Sequence, residues 1–362
     1  MMTTHPQTPD LLPRVAFVAT GGTIAGTLTA GSDKWAYESA QRSGESLVMG
    51  IPGLLRRAQW HFEQPYSIGS QNLELGHMLQ LRAALIRLLQ SSEIDGIVVT
   101  HGTDTMEDML YFLYLTLPAE CLLKPLLFTG AMLPSDHDAA DGPTNITGAL
   151  DFLIDSLESI EQFDGRKSPP FGLLMQGLFT PAQCVVKQST AGLDAFDGPY
   201  SVLANAEWQT NWEALSPPED LGLQGQFAKL FDKRASQHPL FEAMEVPVVF
   251  CSPGNGPLRQ LADLLNRKPA SVVVAAPGHG NIPDVCVPVL RRLLLNGVSV
   301  VRASRVAEGG VEQGGEFDAL DEFREDAAQN GKTGVFSEAG SLSLAKSVVY
   351  ERLRVLAHSL AV

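Results

Sequence analysis

The chain has 362 residues, of which 44% are hydrophobic and 19% are charged, and its formal net charge is −15. This composition is typical of a globular protein with a buried core and excludes an intrinsically disordered chain. Because lysines and arginines do not cluster, there is no basic surface for nucleic acid or anionic lipid, and we expect neither nucleic-acid nor membrane partners.

The length of the chain predicts two domains, since a single hydrophobic core stops growing at roughly 250–300 residues. We place a larger N-terminal α/β domain at residues 14–212 and a smaller C-terminal α/β domain at 245–362. The interdomain linker between them, 213–244, is assigned from the sequence Ser-Pro-Pro-Glu-Asp at 216–220, which interrupts the regular pattern on either side.

Cysteine usage and the start of the sequence bear on the cellular compartment. The four cysteines lie far apart and form no Cys-x-x-Cys pair, so neither a zinc site nor a dense disulfide framework is predicted. The first 13 residues lack the apolar run of a signal peptide, and no later stretch reaches the roughly 18 apolar residues of a membrane span. We therefore expect a reduced, cytoplasmic protein.

Continuous apolar runs predict strands that are buried on both faces of a parallel sheet. In chain order these runs are 15–20, 96–100, 126–129, 172–175, 246–250, 271–275 and 298–301. Helical spacing of apolar residues lies between them, at 75–90, 106–117, 146–157, 258–265 and 287–295. This alternation predicts an α/β fold, with a mostly parallel sheet flanked by helices in the N-terminal domain and a smaller C-terminal α/β domain.

The loops that follow the predicted strands are the candidate binding loops, because ligands bind beyond the carboxyl ends of parallel strands. The first loop is Gly-rich, at 21–26, and fits neither the P-loop nor the dinucleotide-binding pattern. Taken by itself it has two readings, an anion-binding turn or a tight turn capped by Thr23. The second loop, 100–105, carries another hydroxyl beside a carboxylate.

A threonine hydroxyl needs a neighbouring base to act as a nucleophile. Thr103, Asp104 and Lys187 in contact would form a relay with the logic of a Ser-His-Asp triad, the carboxylate orienting the lysine and the lysine accepting the hydroxyl proton. Spacing alone leaves open whether Lys187 is a surface lysine. It also leaves open whether His101, at a predicted strand end, is packed or catalytic.

Two segments, 19–26 and 99–107, resemble the two signature segments of the bacterial-type L-asparaginase (asparaginase/glutaminase) family. Each segment is long and specific, and both occur in the family's order. The similarity extends over nearly the whole chain, at 69–71, 124–132, 140–143, Asn145, 186–187, 278–281 and 304–306.

The resemblance implies catalytic roles for five residues. Thr23 resembles the nucleophile that forms an acyl-enzyme, and Tyr37, in the loop after it, the phenol that activates it. Thr103, Asp104 and Lys187 resemble the second threonine and its partners, which bind substrate and assist proton transfer. Which of the two threonines attacks is open, with Thr23 favoured.

The resemblance also implies substrate-binding residues. Ser70 and Gln71 would bind the α-carboxylate, Asp104 the α-amino group, and the backbone of Ala131 the leaving amide. Two further residues, Asn281 and Glu316, resemble residues that a neighbouring subunit donates, which implies a dimer of dimers.

Two departures from the family stand near these positions. Leu133 occupies a position where the family often has arginine, and an acidic insertion at 318–332 follows the predicted subunit-donated glutamate. The change at Leu133 has no interpretation from the sequence, and the insertion leaves both the role of Glu316 and the choice of substrate open.

The sequence thus predicts an amidohydrolase that converts L-asparagine and water to L-aspartate and ammonia, without a metal or organic cofactor, because hydroxyls, a lysine and N–H donors suffice for acyl transfer. The alternatives are a relative that prefers L-glutamine, a D-amino acid or another small amide, and a catalytically silent small-molecule sensor. Intact hydroxyls in both loops favour an enzyme.

Overall fold

The computed structural model describes residues 12–29, 36–162, 169–199, 201–204, 223–232, 245–307, 309–313, 319–324 and 333–360. The chain forms two compact units, one made of Met1–Leu110 with Leu117–Glu219 and the other of Tyr111–Thr116 with Asp220–Val362. Most of the predicted linker 213–244 lies outside the described residues, so the linker and the domain boundaries stay a prediction.

A seven-stranded sheet organises the first unit, with strand order β4-β1-β5-β6-β7-β8-β9. The pairs from β4 through β7 are parallel, and β8 and β9 add two antiparallel pairs at one edge. A separate hairpin consists of β2 and β3. The strands of this unit are β1 (Arg14–Ala19), β2 (Thr27–Leu28), β3 (Tyr37–Glu38), β4 (Gln59–Glu63), β5 (Gly96–Thr100), β6 (Leu126–Thr129), β7 (Phe171–Met175), β8 (Leu178–Pro181) and β9 (Val202–Leu203).

Helices and apolar side chains cover this sheet. The helices are α1 (Gly44–Met49), α2 (Leu75–Gln90), α3 (Met106–Thr116), whose last six residues cluster with the second unit, and α4 (Gly142–Gln162). Helix α2 buries the stripe that its spacing predicts, at Leu81, Leu85, Leu88 and Leu89, each at most 4% exposed. On another part of the sheet, Phe17 of β1, Leu127 of β6 and Phe152 of α4 belong to one buried cluster.

The second unit contains a four-stranded parallel sheet with order β10-β11-β12-β13. Its core joins apolar residues of the central strands to the helices, as in Val274, Val300 and Leu290. The elements are β10 (Val248–Phe250), β11 (Ser271–Ala276), β12 (Ser299–Ser304) and β13 (Phe336–Glu338), with helices α5 (Lys229–Asp232), α6 (Gly256–Arg267), α7 (Val287–Leu295) and α8 (Leu344–Leu360).

These elements confirm the predicted α/β class. The observed elements differ from the predicted ones mainly in where they begin and end and in several short elements that the sequence patterns missed. Helix α4 starts at Gly142 and ends at Gln162, beyond the predicted 146–157 on both sides. The elements that were not predicted are strands β2, β3, β4, β8, β9 and β13 and helices α1, α5 and α8. Strand β4 reads Gln-Trp-His-Phe-Glu, and its alternation marks an edge strand with one polar face, which a search for continuous apolar runs misses.

All four cysteines, Cys121, Cys184, Cys251 and Cys286, are free and buried. Burial raises the pKa of the Cys251 thiol to about 11. A thiol of this kind is protonated near neutral pH and therefore packs as a small apolar side chain. Of the helices that the structure describes, none is both long and apolar enough to cross a membrane.

A buried ion-pair network stabilises the second unit. The Glu338 carboxylate of β13 accepts Arg324 Nη1 and Nη2, each at 2.7 Å, and Arg302 Nη2 at 3.2 Å. The side chains of Arg302 and Glu338 are 1% and 10% exposed. Burial acts to raise the pKa of the Glu338 carboxyl, but the hydrogen bonds and charges of the two guanidinium groups outweigh it, so that this pKa lies below its usual range.

We predict that Glu338→Gln lowers the free energy of unfolding by about 3 kcal/mol, because it leaves a buried guanidinium without its anion. The matched control is Glu245→Gln, whose partner Arg267 forms an ion pair with side chains 46% and 53% exposed. That change should cost less than about 1 kcal/mol. Urea unfolding at pH 7 measures both, and equal losses would contradict the assignment of the buried network.

Candidate active site

The loop after β1 turns sharply on two glycines. Gly21 and Gly22 have backbone φ angles of +97° and +81°, a region that residues other than glycine rarely adopt. The Gly22 N–H donates to the Ile68 carbonyl at 2.8 Å. A Cβ on Gly22 would lie 2.5 Å from the Gly102 Cα. The missing side chain therefore lets the loops after β1 and β5 touch.

Thr23 starts the short 3-10 turn that follows these glycines, and its hydroxyl has one close partner in the hairpin. Thr23 Oγ1 and the Tyr37 hydroxyl lie 2.8 Å apart. Tyr37 belongs to β3 and is paired with Leu28 of β2. The structure therefore brings together the predicted nucleophile and the predicted activating phenol.

The loop after β5 brings together the second predicted group. Lys187 Nζ donates to Thr103 Oγ1 at 3.0 Å and to Asp104 Oδ1 at 2.7 Å. Thr103 is buried, the Lys187 side chain is 17% exposed, and the Asp104 side chain is 61% exposed. Lys187 therefore lies between a sheltered hydroxyl and a carboxylate that faces solvent, rather than on the surface as a free charge.

His101, which precedes this loop, is 1% exposed, and its Nδ1–H donates to the Gly102 carbonyl at 2.8 Å. Its ring packs against Phe128, with centroids 6.3 Å apart. Burial lowers the pKa of this imidazole to about 4, against the opposing effect of the Gly102 hydrogen bond. It is neutral near pH 7, and of the two readings of His101 the packed one describes the structure.

Ser70 and Gln71 lie on a 3-10 turn against the second threonine loop. Ser70 is 5% exposed, and its carbonyl accepts the Thr105 hydroxyl at 3.0 Å. A Cβ on Gly102 would lie 2.5 Å from Ser70 Oγ, so the Ser70 side chain reaches the backbone of the loop. Gln71 is exposed. The two residues thus differ, one being built into the loop and the other open to solvent.

Ala131 is buried in the turn after β6, and a neighbouring carboxylate organises that turn. Asp141, 6% exposed, accepts the N–H groups of Met132 at 3.0 Å and Leu133 at 3.0 Å. Asn145 donates to Asp141 at 3.1 Å and to the carbonyl before Ala131 at 2.9 Å. No role was predicted for Asp141 or Asn145, since only the family resemblance, at 140–143 and at Asn145, marked them.

Comparison with known proteins shows the family to which this chain belongs. Residues 14–216 match the family model described as Asparaginase, N-terminal. This chain belongs to the asparaginase family. It is 32% identical over 310 residues to a protein described as a probable periplasmic L-asparaginase of Haemophilus influenzae, covering 85% of this chain and 82% of the relative.

Two further relatives come from other bacteria. A glutaminase-asparaginase of Pseudomonas fluorescens biotype A is 28% identical over 84% of this chain and 78% of its own. The crystal structure of a probable cytoplasmic L-asparaginase from Campylobacter jejuni superposes with a TM-score of 0.72, at 26% identity and over 95% of each chain.

Two residues that the resemblance implies for substrate binding, Asn281 and Glu316, stay predictions. Asn281 is an exposed residue of the second unit, in a loop where its N–H donates to the Pro277 carbonyl at 2.9 Å. Glu316 lies outside the described residues, as does most of the predicted insertion 318–332. Leu133, the departure from the family, is 9% exposed and bonded through its backbone to Asp141.

Metal ligands were not predicted for this asparaginase. The described ranges contain no group of three or more His, Cys, Asp or Glu side chains that could hold a metal ion. The expectation that no cofactor is needed stays a prediction.

We predict that Gly22→Ala lowers activity at least about 100-fold, because its Cβ would push the two threonine loops apart and small misplacements cost large factors in rate. Gly53→Ala is the control for a positive φ alone, since Gly53 has φ of +82° and nothing within 4 Å of an added Cβ. Its ψ of −13° is left-handed and costs alanine roughly 1 kcal/mol, whereas Gly22 has ψ of −173°, where strain is of order 1–3 kcal/mol. Ammonia release is therefore measured at a temperature where thermal unfolding shows both variants to be folded. A misplaced loop lowers activity in the folded protein, whereas a merely less stable protein would keep the activity of the parent.

Proposed function

We propose that this protein is an amidohydrolase that hydrolyses the side-chain amide of L-asparagine to L-aspartate and ammonia. The observation that carries this proposal is the pair of hydroxyl groups at the ends of β1 and β5, each hydrogen-bonded to a group suited to proton transfer. Thr23 has the phenol of Tyr37 at 2.8 Å, and Thr103 has the amine of Lys187 at 3.0 Å. A binding protein without catalysis has no need for two such pairs.

The first stage forms an acyl-enzyme. Thr23 Oγ1 attacks the side-chain amide carbon as its proton passes to the Tyr37 oxygen and the original Tyr37 O–H proton passes to the amide nitrogen. The C–N bond then breaks, and the nitrogen leaves as ammonia. The Tyr37 hydroxyl is the proton carrier because it lies within hydrogen-bond distance of the nucleophile. The family resemblance supports Thr23 as the attacking threonine.

The second stage hydrolyses the acyl-enzyme. Water adds to the ester carbon, the bond to Thr23 Oγ1 breaks, one proton of the water returns to that oxygen, and L-aspartate leaves. We assign Thr103, Lys187 and Asp104 to proton transfer at the reacting amide and water, since the amine bridges the hydroxyl and the carboxylate at 3.0 and 2.7 Å.

Substrate orientation falls to the surrounding loops. We assign the α-carboxylate to Ser70 and Gln71, the α-amino group to Asp104 and the leaving amide to the backbone of Ala131. The protein carries a formal net charge of −15, which gives no long-range attraction for an α-carboxylate. Local hydroxyl and N–H donors must therefore provide the binding energy for that group.

A second candidate substrate is L-glutamine, because the relative from Pseudomonas fluorescens biotype A carries the name glutaminase-asparaginase. The two substrates differ by one methylene, and a methylene in a binding pocket is worth only about 1–3 kcal/mol. Turnover of both substrates at different efficiencies is compatible with the same site.

The test is ammonia release from L-asparagine, L-glutamine, their D-forms and small amides without an α-amino group. We expect the highest kcat/KM for L-asparagine. Thr23→Ala, Thr103→Ala and Lys187→Met should each lower kcat by about 1,000-fold or more while the fold is retained, because each removes a participant in acyl or proton transfer. Silence of the parent protein across the whole panel would favour a sensor, and losses below about threefold in the three variants would refute the assigned roles.

For assembly and location, we propose a cytoplasmic homotetramer built as a dimer of dimers that acts in asparagine catabolism. The family resemblance supports the assembly, with Asn281 and Glu316 completing the site of a neighbouring subunit. Four free, buried cysteines and the Campylobacter jejuni relative named as cytoplasmic support the location, whereas the Haemophilus influenzae relative is named as periplasmic.

Mixing of two inactive variants tests the shared site. Thr23→Ala subunits keep Asn281, and Asn281→Ala subunits keep Thr23. If neighbouring subunits share sites, activity reappears when the variants exchange subunits, because some interfaces then combine both intact residues. Exchange is followed with a fluorescent label on one variant. Proven exchange without recovered activity would show that each chain completes its own site.

A further inference from the structure

The loop between β6 and α4 contacts the hairpin of β2 and β3 through two adjacent residues. The N–H and the hydroxyl of Ser135 both donate to the Gly26 carbonyl, at 2.9 and 2.7 Å. The Asp136 carboxylate accepts the Leu28 N–H, with Oδ1 at 2.9 Å and Oδ2 at 3.1 Å. This loop therefore holds the backbone of the hairpin immediately before and within β2.

Strand β2, which this loop holds, pairs with β3, the strand that carries Tyr37. Leu28 lies opposite Tyr37 in the antiparallel register of the hairpin. The ring of Tyr37 also packs over Gly26, where an added Cβ would lie 2.9 Å from its Cδ2. One backbone hydrogen bond and one strand pairing thus separate the Asp136 carboxylate from the residue whose hydroxyl contacts Thr23.

We propose that Asp136 is a positioning residue for amide hydrolysis, holding β2 so that β3 presents the Tyr37 hydroxyl to Thr23. Its effect on rate rests on the function proposed above, while its effect on the hairpin does not. Each strand of the hairpin has two residues, and an isolated two-stranded hairpin is at best marginally stable, so it needs contacts from outside. An ionised acceptor makes a stronger hydrogen bond than a neutral one.

The exposure of Asp136 distinguishes positioning from packing. Asp136 is exposed to solvent, so truncation of its side chain leaves no cavity in the core. The base of the same loop is held separately, by the bonds of Met132 and Leu133 to the buried Asp141. A change at Asp136 should therefore loosen the hairpin at Leu28, while the Ser135 bonds to Gly26 remain, without unfolding the loop that carries Ala131.

The kinetic test compares Asp136→Ala, Asp136→Asn and the control Asp138→Ala in ammonia release from L-asparagine. Asp138 is an exposed residue of the same loop. We expect Asp136→Ala to lower kcat/KM at least about tenfold, as for loss of a hydrogen bond to a charged group. Asp136→Asn keeps one neutral acceptor and should lose about threefold, and Asp138→Ala should stay within about twofold of the parent.

A double-mutant cycle with Tyr37→Phe separates a role exerted through Tyr37 from a general structural effect. If Asp136 acts by placing the Tyr37 hydroxyl, Asp136→Ala should cost less than about twofold in the Tyr37→Phe background. An equal loss in both backgrounds would overturn the proposal, as would no loss in the parent background.

Hydrogen exchange supplies a readout that does not depend on turnover. Asp136→Ala should speed amide exchange in the hairpin residues 27–29 and 36–38 and leave β1 and α4 unchanged, while Asp138→Ala should change none of them. Unchanged exchange in the hairpin would overturn the proposed contact. If the parent releases no ammonia, the proposed function fails, yet exchange still decides whether Asp136 holds the hairpin. If the parent is active and Asp136→Ala matches Asp138→Ala, the positioning role alone fails.

Discussion

The parallel pairing of β1 with β5, and of β5 with β6, is the constraint on which the candidate site depends. In this register Ala19 lies opposite Thr100, and Thr100 lies opposite Thr129. All three strands therefore end at the same level, and the next residues of each chain segment must share one edge of the sheet. Thr23 and Thr103 follow those ends by four and three residues. Glycine at positions 22 and 102 then permits the two loops to approach to backbone contact.

A buried carboxylate must be satisfied by donors, and Asp141 shows how that requirement organises a loop. Its partners are backbone N–H groups and amide side chains, with Met132, Leu133 and Asn145 each within 3.1 Å. Because the N–H groups of Met132 and Leu133 both donate to this one carboxylate, the backbone conformation of the turn around Ala131 is fixed. The carbonyl and N–H groups at that turn are thereby oriented before any substrate arrives, which is the preorganisation that acyl transfer requires.

The sequence predicted the central part of the fold better than its edges, for a physical reason. Strands buried on both faces consist of continuous apolar residues, as in β5. Strand β4, at the sheet edge, instead alternates polar and apolar residues and ends at the charged residue Glu63. At the site, the two threonine loops stand out as local motifs. Lys187 is 84 residues from Thr103, and spacing cannot indicate a contact over that separation. The residues alone left open whether that lysine belongs to a relay or to the surface, and the family resemblance favoured the relay. Nothing in the sequence indicated the contacts of Asp141 or Asp136.

The two hydroxyl pairs differ in how firmly the fold holds them. Thr103 is buried on a turn between β5 and α3, and its partner Lys187 is bonded to a second residue of the same turn. Tyr37 instead lies on a strand of two residues whose partner strand has two residues. Because such a hairpin has little stability of its own, the geometry at Thr23 depends on contacts that other loops supply. The Thr23 pair is therefore the part of the site where a bound substrate or a distant substitution can change the rate without disturbing the sheet.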